Sequence, residues 1–168
     1  GPLRLEQVEL EPFRAWARAG LGPLMTAHVV FPALDPDRPA TCSPRILRDL
    51  LRKRLHFHGA LLSDDLEMGA MHEVGGAAAA ALAAVGAGAD GLLVCRDADV
   101  REAVRTTLAR TGRSDPALAE RLERAGTALA SLGRPPGPSR PASWIGSDAH
   151  RRLQERVLGA LAQGAVGR

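Results

Sequence analysis

Aromatic residues and lysine are scarce in this sequence of 168 residues. It has no tyrosine, three phenylalanines and two tryptophans, and Lys53 is its one lysine, so nearly all of its positive charge is arginine. Surfaces that bind nucleic acid combine basic patches with aromatic side chains on which bases stack. A net charge of +3, spread along helices and with so few aromatics, therefore argues against nucleic acid as a partner.

Cysteine and long apolar runs are scarce as well. Cys42 and Cys95 lie far apart and form no Cys-x-x-Cys pair, which excludes a recognisable zinc site or disulfide framework. No window of about 20 apolar residues occurs, and the start of the sequence lacks the pattern of a signal peptide. These absences predict a protein of a reducing compartment, the cytoplasm, that does not associate with membranes.

Three short apolar runs predict β-strands. They are "PLMTAHVV" after Gly22, "GALLS" from Gly59 and "DGLLVC" from Asp90. They lie roughly 30 to 36 residues apart, which is the spacing of repeated strand–helix units in a parallel sheet. The sequence therefore predicts an α/β fold.

Amphipathic helices are predicted before, between and after these runs. Ser43 and Asp115 each precede a proline, the order expected of a capping residue and a first helical residue. The first helix, ended by Gly20, should turn Phe13 and Trp16 inward. The helix after Ser43 should place one polar face in water, formed by Arg45, Arg48, Asp49 and Arg52.

Three parallel strands alone make an incomplete sheet, because a parallel sheet is covered on both faces. A (β/α)8 barrel of the TIM type needs roughly 250 residues. Residues 1–132 are therefore interpreted as about the second half of such a barrel, followed by a Pro/Gly-rich linker at 133–145 and a C-terminal helix at 146–168. The exposed edges of a partial barrel predict self-association.

In such barrels the reactive residues lie at the carboxyl ends of the strands. The predicted strands end at Thr26 and His28, at Ser63 and Asp64, and at Cys95 and Arg96. Because side chains alternate along a strand, one of Asp64 and Asp65 should face the barrel mouth while the other caps the next turn. Glu67 is assigned to the loop. The alternative is that "SDD" only marks the start of a helix.

The block from Leu24 to Met71 resembles glycoside hydrolase family 3, in particular its single-domain β-N-acetylglucosaminidase branch. That family has a Met-Thr-Ala-His strand, a Pro-Ala-Leu-Asp loop, a Pro-Ala-Thr-x-Ser-Pro helix start and a strand that ends in Ser-Asp-Asp-Leu-x-Met. The matching residues here are 25–28, 32–35, 39–44 and 63–68.

The resemblance implies that Asp64 is the nucleophile of a retaining β-N-acetylhexosaminidase, which forms a covalent glycosyl-aspartate. The implied substrate is a glycan with terminal N-acetylglucosamine, of the peptidoglycan type, and no metal or cofactor is implied. It also suggests that His28, Met25 and Asp65 bind substrate. His28 could equally satisfy local backbone groups, and Met25 is interpreted more readily as packing, as is Met68.

Retaining hydrolysis also needs a general acid. In this branch it is a histidine held by an aspartate, on a loop that precedes the nucleophile and follows Lys-His-Phe-Pro-Gly-His, and the sequence has no such segment. Asp148 and His150 have the Asp-x-His spacing but read as a helix start. We therefore expect this chain alone to be inactive. The alternative is a truncated, non-catalytic paralogue or an interaction fragment of the same fold.

Two further patterns are interpreted as structural. "GAGADG" matches a phosphate-binding Gly-x-Gly-x-x-Gly, but it precedes a strand, so a helix end and turn are expected. His56 and His58 could be imagined as metal ligands, but they lie at the opposite end of the strand from Asp64, so a solvated loop is expected.

Overall fold

The computed structural model describes residues 4–20, 22–132 and 146–162, except for the side chains of 157 and 159–162. The chain divides into two units, Gly1–Arg134 and Pro135–Arg168, which are described separately. The predicted linker at 133–145 lies outside the described residues. Among those residues, no helix is both long and apolar enough to cross a membrane.

Helices precede, separate and follow the strands of the first unit, as the apolar patterns predict. After a π-helical turn at Leu5–Glu9 come α1 (Glu11–Ala19), α2 with π-type hydrogen bonding (Arg45–Arg54), α3 (Ala77–Ala87), α4 (Ala98–Ser114) and α5 (Pro116–Leu132). The second unit contains α6 (Asp148–Ala162). Ser43 Oγ accepts from the amide of Ile46, and Asp115 caps α5, which confirms both predicted helix starts.

The three predicted strands form one parallel sheet. Strands β1 (Leu24–Met25), β4 (Leu61–Asp65) and β5 (Gly91–Leu93) lie in the order β1-β4-β5. Leu24 pairs with Leu61, and Leu62 pairs with Gly91. The α/β prediction is confirmed, and the carboxyl ends of all three strands meet at one edge of the sheet.

A short antiparallel hairpin was not predicted. Strand β2 (Val30–Phe31) pairs with β3 (Asp35–Pro39), and the chain continues into a 3-10 turn at Ala40–Cys42. Proline and aspartate disfavour strands, so "DPDRP" reads as a loop. The hairpin brings the 3-10 turn against the segment between β1 and β2, where the amide of Ala40 donates to the carbonyl of Val29.

Small side chains let α3 approach the sheet closely. Ala80, Ala81 and Ala84 are fully buried. Ala84 belongs to the same apolar cluster as Leu61 of β4 and Phe57. The prediction for α1 was partly wrong: Trp16 packs against this cluster, but Phe13 is 43% exposed.

Arg52 was predicted to lie in water and does not. Its guanidinium donates to the carbonyls of Phe57 and Gly59 and to the carboxylate of Asp90. Asp90 in turn accepts from the amide of Leu61, the first residue of β4. Helix α2 therefore holds the amino ends of β4 and β5 together through one arginine.

Candidate active site

An irregularity in β4 shapes the carboxyl edge of the sheet. Leu62 pairs with Gly91 and Asp65 pairs with Leu93, so two residues of β4, Ser63 and Asp64, stand opposite one residue of β5. One extra residue in a strand is a β-bulge, which interrupts side-chain alternation and re-aims the side chains beside it. The predicted alternation of Asp64 and Asp65 therefore does not hold as stated.

The Ser63 hydroxyl compensates for the bulge. Ser63 is fully buried, and its Oγ accepts a hydrogen bond of 2.9 Å from the amide of Leu93. In a regular ladder that amide would bond to a strand carbonyl. This partner of Ser63 was not predicted, because a cross-strand contact has no local sequence signal.

Asp64 is half-buried, and one of its carboxylate oxygens is held by the next peptide unit. Its Oδ1 accepts from the amide of Asp65 at 2.8 Å. No donor among the described residues bonds to its second oxygen, Oδ2, and that oxygen is not buried. The carboxylate is thus fixed on one side and open on the other.

Asp65 has different contacts from those of Asp64. Its Oδ1 accepts from the amides of Glu67 at 3.1 Å and Cys95 at 3.3 Å, and its Oδ2 lies 3.9 Å from Nε of Arg96. Its side chain is 19% exposed. Asp65 therefore joins the end of β4 to the loop after β5, which is the capping role that the sequence allowed for one of the two aspartates.

Glu67 was assigned to a loop, and the structure gives it a specific role there. Its two carboxylate oxygens accept from the amides of Arg96 at 2.6 Å and Asp97 at 3.0 Å. Asp97 then caps helix α4 by accepting from the amide of Asp99. The carboxylates of Asp65 and Glu67 therefore join the loops after β4 and β5, and no local sequence signal indicates this pairing.

His28 lies in the segment between β1 and β2, three residues after Met25, and contacts both the 3-10 turn and β4. Its Nδ1 is 2.9 Å from Oγ1 of Thr41, and its Nε2 is 3.0 Å from the carbonyl oxygen of Asp65. Thr41 Oγ1 is also 2.9 Å from Oγ1 of Thr26. Both ring nitrogens are engaged by protein groups, as the alternative interpretation of His28 expected. Thr41 was not identified from the sequence.

A buried carboxylate supports this side of the site. Asp35 is buried and accepts from the Ser43 hydroxyl at 2.7 Å and from the amide of Asp37. The Ser43 hydrogen bond, and after it the Asp37 amide, hold the pKa of the Asp35 carboxyl below its usual value, although burial acts in the opposite direction. Asp35 thereby links hairpin β2–β3 to the start of α2 and fixes the turn that carries Thr41.

The remaining predicted site residues lie apart from these contacts. Met25 is 60% exposed and Met68 is 43% exposed within the described part of the chain, and their role as packing residues stays a prediction. His56 and His58 are exposed, as expected. Across residues 4–20, 22–132 and 146–162 no group of three potential metal ligands occurs.

The Asp148 and His150 pattern belongs to the second unit. Asp148 pairs with Arg151 within the first turns of α6, and the amide of His150 donates to the Ser147 hydroxyl. The predicted helix start is confirmed there. "GAGADG" likewise ends a helix, since Gly88 has a φ of 117° and follows α3.

Comparison with known sequences identifies one family. Residues 1–127 match the family described as glycosyl hydrolase family 3 N-terminal domain. A β-hexosaminidase of Chromobacterium violaceum is 42% identical over 121 residues, which are 72% of this chain and 33% of the relative. One from Stenotrophomonas maltophilia is 41% identical over 107 residues, 64% of this chain and 32% of the relative. The chain spans about a third of the length of these curated relatives.

Solved structures agree with the sequence matches. A glycoside hydrolase family 3 β-N-acetylglucosaminidase from Paenibacillus sp. str. FPU-7 has a TM-score of 0.76 at 33% identity, over 92% of this chain and 31% of that chain. A β-N-acetylhexosaminidase from Beutenbergia cavernae has a TM-score of 0.65 at 32% identity, over 74% of this chain and 37% of that chain.

Proposed function

The chain belongs to glycosyl hydrolase family 3, and we propose that it carries the nucleophile of a retaining β-N-acetylhexosaminidase, Asp64. One observation carries this assignment. Three carboxylates lie at the carboxyl end of β4 and just after it. Asp65 and Glu67 accept hydrogen bonds from amides of the loop after β5, whereas one oxygen of Asp64 has no hydrogen-bond donor among the described residues. A nucleophile needs a fixed carboxylate with an unoccupied oxygen, and Asp64 fits that description.

The proposed reaction has two steps. In the first, an oxygen of Asp64 bonds to the anomeric carbon while the bond from that carbon to the leaving oxygen breaks, and a general acid protonates the leaving oxygen. In the second, water attacks the same carbon, gives a proton to that acid–base group and releases Asp64. We place the acid–base group outside the described residues, since His28, Asp65 and Glu67 are all engaged in holding the strand ends.

The substrate proposed is a glycan with terminal N-acetylglucosamine, as in peptidoglycan. The names of the relatives support this class, because they are β-hexosaminidases and β-N-acetylglucosaminidases. Met25 is exposed at the end of β1 and is proposed as an apolar contact for the sugar. Asp65 and His28, which the resemblance suggested as substrate-binding residues, are proposed to act by positioning, given their contacts with the protein.

We further propose that the first unit is about half of a (β/α)8 barrel. In the described residues β1 and β5 are the edges of a three-stranded parallel sheet, whereas such sheets are normally continued or closed. The same edges favour a second candidate function, a non-catalytic fragment that associates with another chain or with a second copy. Light scattering of the purified 168-residue chain tests this second candidate: dimers or larger species support association with a second copy, and a monomer at all concentrations contradicts it.

The assignment of Asp64 is tested in the full-length protein by Asp64→Asn, with hydrolysis of an aryl N-acetylglucosaminide as the assay. We expect kcat to fall at least about 1,000-fold, because loss of a nucleophile removes the covalent route. Asp99→Asn is the matched control, since Asp99 is an exposed acid in the first turn of α4. Comparable losses in both variants would contradict the assignment.

A mechanism-based label identifies the reacting oxygen directly. A 2-fluoro sugar with a good leaving group should accumulate as a covalent adduct, and peptide mass analysis should locate it on Asp64. An adduct on Asp65 or Glu67 refutes the proposal. The 168-residue chain alone should hydrolyse the aryl substrate below detection, and robust turnover by it would show that the general acid lies within this chain.

A further inference from the structure

A series of side-chain hydrogen bonds runs from buried Thr26 to the carbonyl of Asp65, in the peptide unit between Asp65 and Leu66. Thr26 Oγ1 is 2.9 Å from Thr41 Oγ1, and Thr41 Oγ1 is 2.9 Å from Nδ1 of His28. His28 Nε2 is 3.0 Å from the carbonyl oxygen of Asp65. Thr41 is fully buried and Thr26 is 9% exposed, so both hydroxyl groups need partners within the protein.

The carbonyl of Asp65 determines the direction of this series. A carbonyl oxygen only accepts hydrogen bonds, so Nε2 of His28 must carry a proton. If Nδ1 also carried one, Thr41 would accept it and donate to Thr26. The Thr26 proton would then lack an acceptor among the described residues, where no other side-chain bond of Thr26 occurs.

When the donors run in the opposite direction, from Thr26 toward Asp65, every proton of these groups has an acceptor. Thr26 donates to Thr41, Thr41 donates to Nδ1, and Nε2–H donates to the carbonyl of Asp65. In this arrangement His28 is the Nε2–H tautomer, with the lone pair of Nδ1 as an acceptor.

We propose that the carbonyl of Asp65 places the proton of His28 on Nε2, that Thr26 and Thr41 keep Nδ1 as an acceptor, and that His28 in this tautomer positions Asp64 through the backbone of Asp65. The inference rests on the proposed role of Asp64. The amide of Asp65 donates to Oδ1 of Asp64 at 2.8 Å, and the carbonyl of the same residue accepts from His28. His28 therefore holds the residue whose amide orients the Asp64 carboxylate, and it is a positioning residue.

The other tautomer would undo this arrangement. With the proton on Nδ1, the lone pair of Nε2 would face the carbonyl oxygen of Asp65 at 3.0 Å, and two acceptors would repel each other. The carbonyl of Asp65 also accepts from the amide of Met68 at 3.0 Å, and the amide of Leu66 donates to the carbonyl of Leu93 at 2.9 Å, so this peptide unit would tilt and would not come free. The amide of Asp65, which holds Oδ1 of Asp64, would tilt with it and displace the carboxylate.

The tautomer can be measured without reference to catalysis. In the full-length protein with 15N-labelled histidine, the His28 signals are identified by their loss in His28→Gln. We expect the protonated-nitrogen signature on Nε2 and the lone-pair signature on Nδ1. Thr41→Ser, which keeps the hydroxyl, should preserve this pattern, whereas the equally sized Thr41→Val should shift the Nδ1 signal, because the lone pair of Nδ1 loses its hydrogen-bond donor. A proton on Nδ1 in the unsubstituted protein, or an Nδ1 signal that is unchanged in Thr41→Val, overturns the inference.

Kinetics of the same protein test the positioning role. His28→Gln places an amide donor near the position of Nε2 and should keep kcat within about threefold. His28→Phe preserves the ring but cannot donate, and it should lower kcat about 10- to 100-fold with KM little changed, as expected for a displaced reacting group. Equal kcat in Phe and Gln variants that remain folded refutes the role of His28. If Asp64→Asn instead keeps its activity, the proposed function fails while the tautomer result still stands.

Discussion

Replacement of Arg52 by methionine is expected to destabilise the fold strongly. The guanidinium makes three hydrogen bonds, to the carbonyls of Phe57 and Gly59 and to the carboxylate of Asp90. Methionine keeps an unbranched apolar stem of similar length but makes none of these bonds. The carboxylate of Asp90 then keeps only the amide of Leu61 as a described partner.

The magnitude follows from the exposure of the pair. Breaking a fully buried ion pair costs about 3–5 kcal/mol, and an exposed pair is worth about 0–1 kcal/mol. The side chains of Arg52 and Asp90 are 27% and 14% exposed, so the pair lies nearer the buried limit. The arginine also stacks on the ring of Phe57, with 5.4 Å to the ring centre. We expect the free energy of unfolding to fall by about 2–4 kcal/mol.

Urea unfolding followed by circular dichroism measures this loss, provided that the slope m is unchanged. Arg105→Met is the matched control, because Arg105 makes two hydrogen bonds to Glu102 on the exposed surface of α4. It should cost far less than Arg52→Met. In a double-mutant cycle, Arg52→Met should cost markedly less once Asp90 is already asparagine. Equal losses from Arg52→Met and Arg105→Met would refute the reasoning from burial.

Three further outcomes are expected. Gly59→Ala should destabilise the protein, because a Cβ at residue 59 would lie 2.7 Å from the backbone carbonyl oxygen of Gly22; an unchanged midpoint of urea unfolding would contradict this close approach. Ser63→Ala should cost about 1–3 kcal/mol in the same assay, because a strand amide loses its acceptor; a loss well below this range would mean that another group accepts from that amide. Asp35→Asn should be less stable than the parent protein at neutral pH. The folded protein holds the pKa of the Asp35 carboxyl below its ordinary value of 3.8, chiefly through Ser43, so the stability that the ionised form contributes is present above that value. The difference between the two proteins should therefore shrink as the pH falls through the lowered pKa, and a difference independent of pH would exclude this linkage.

The sequence predicted those features whose signals are local. Ser43 and Asp115 were predicted to cap helices because each precedes a proline, and both side chains accept from amides of the first turn. The three parallel strands were predicted from short apolar runs at regular spacing. The role proposed for Asp64 came from a contiguous motif. Such features depend on neighbouring residues along the chain, and a single sequence displays them.

The sequence did not predict features that depend on pairing between distant segments. Nothing local to Thr41 indicates a bond to a histidine in the segment after β1. Nothing in "LLSDD" reveals a bulge, because register is a property of two strands. Arg52 was misplaced for the same reason. Its position on a polar helix face favoured solvent, but the carbonyls it reaches lie in the turn that leads to β4.

The side-chain bonds between the strand ends bear on how mutational data for this protein should be interpreted. The segment after β1 is joined to β4 through His28, and the end of β4 is joined to the loop after β5 through Asp65 and Glu67. A substitution at any of these positions disturbs the others. A mutational scan scored by activity alone would therefore give the residues that hold the strand ends losses similar to that of the reacting residue. Covalent labelling and tautomer spectroscopy separate the two groups, because each reports on a single atom rather than on the whole assembly.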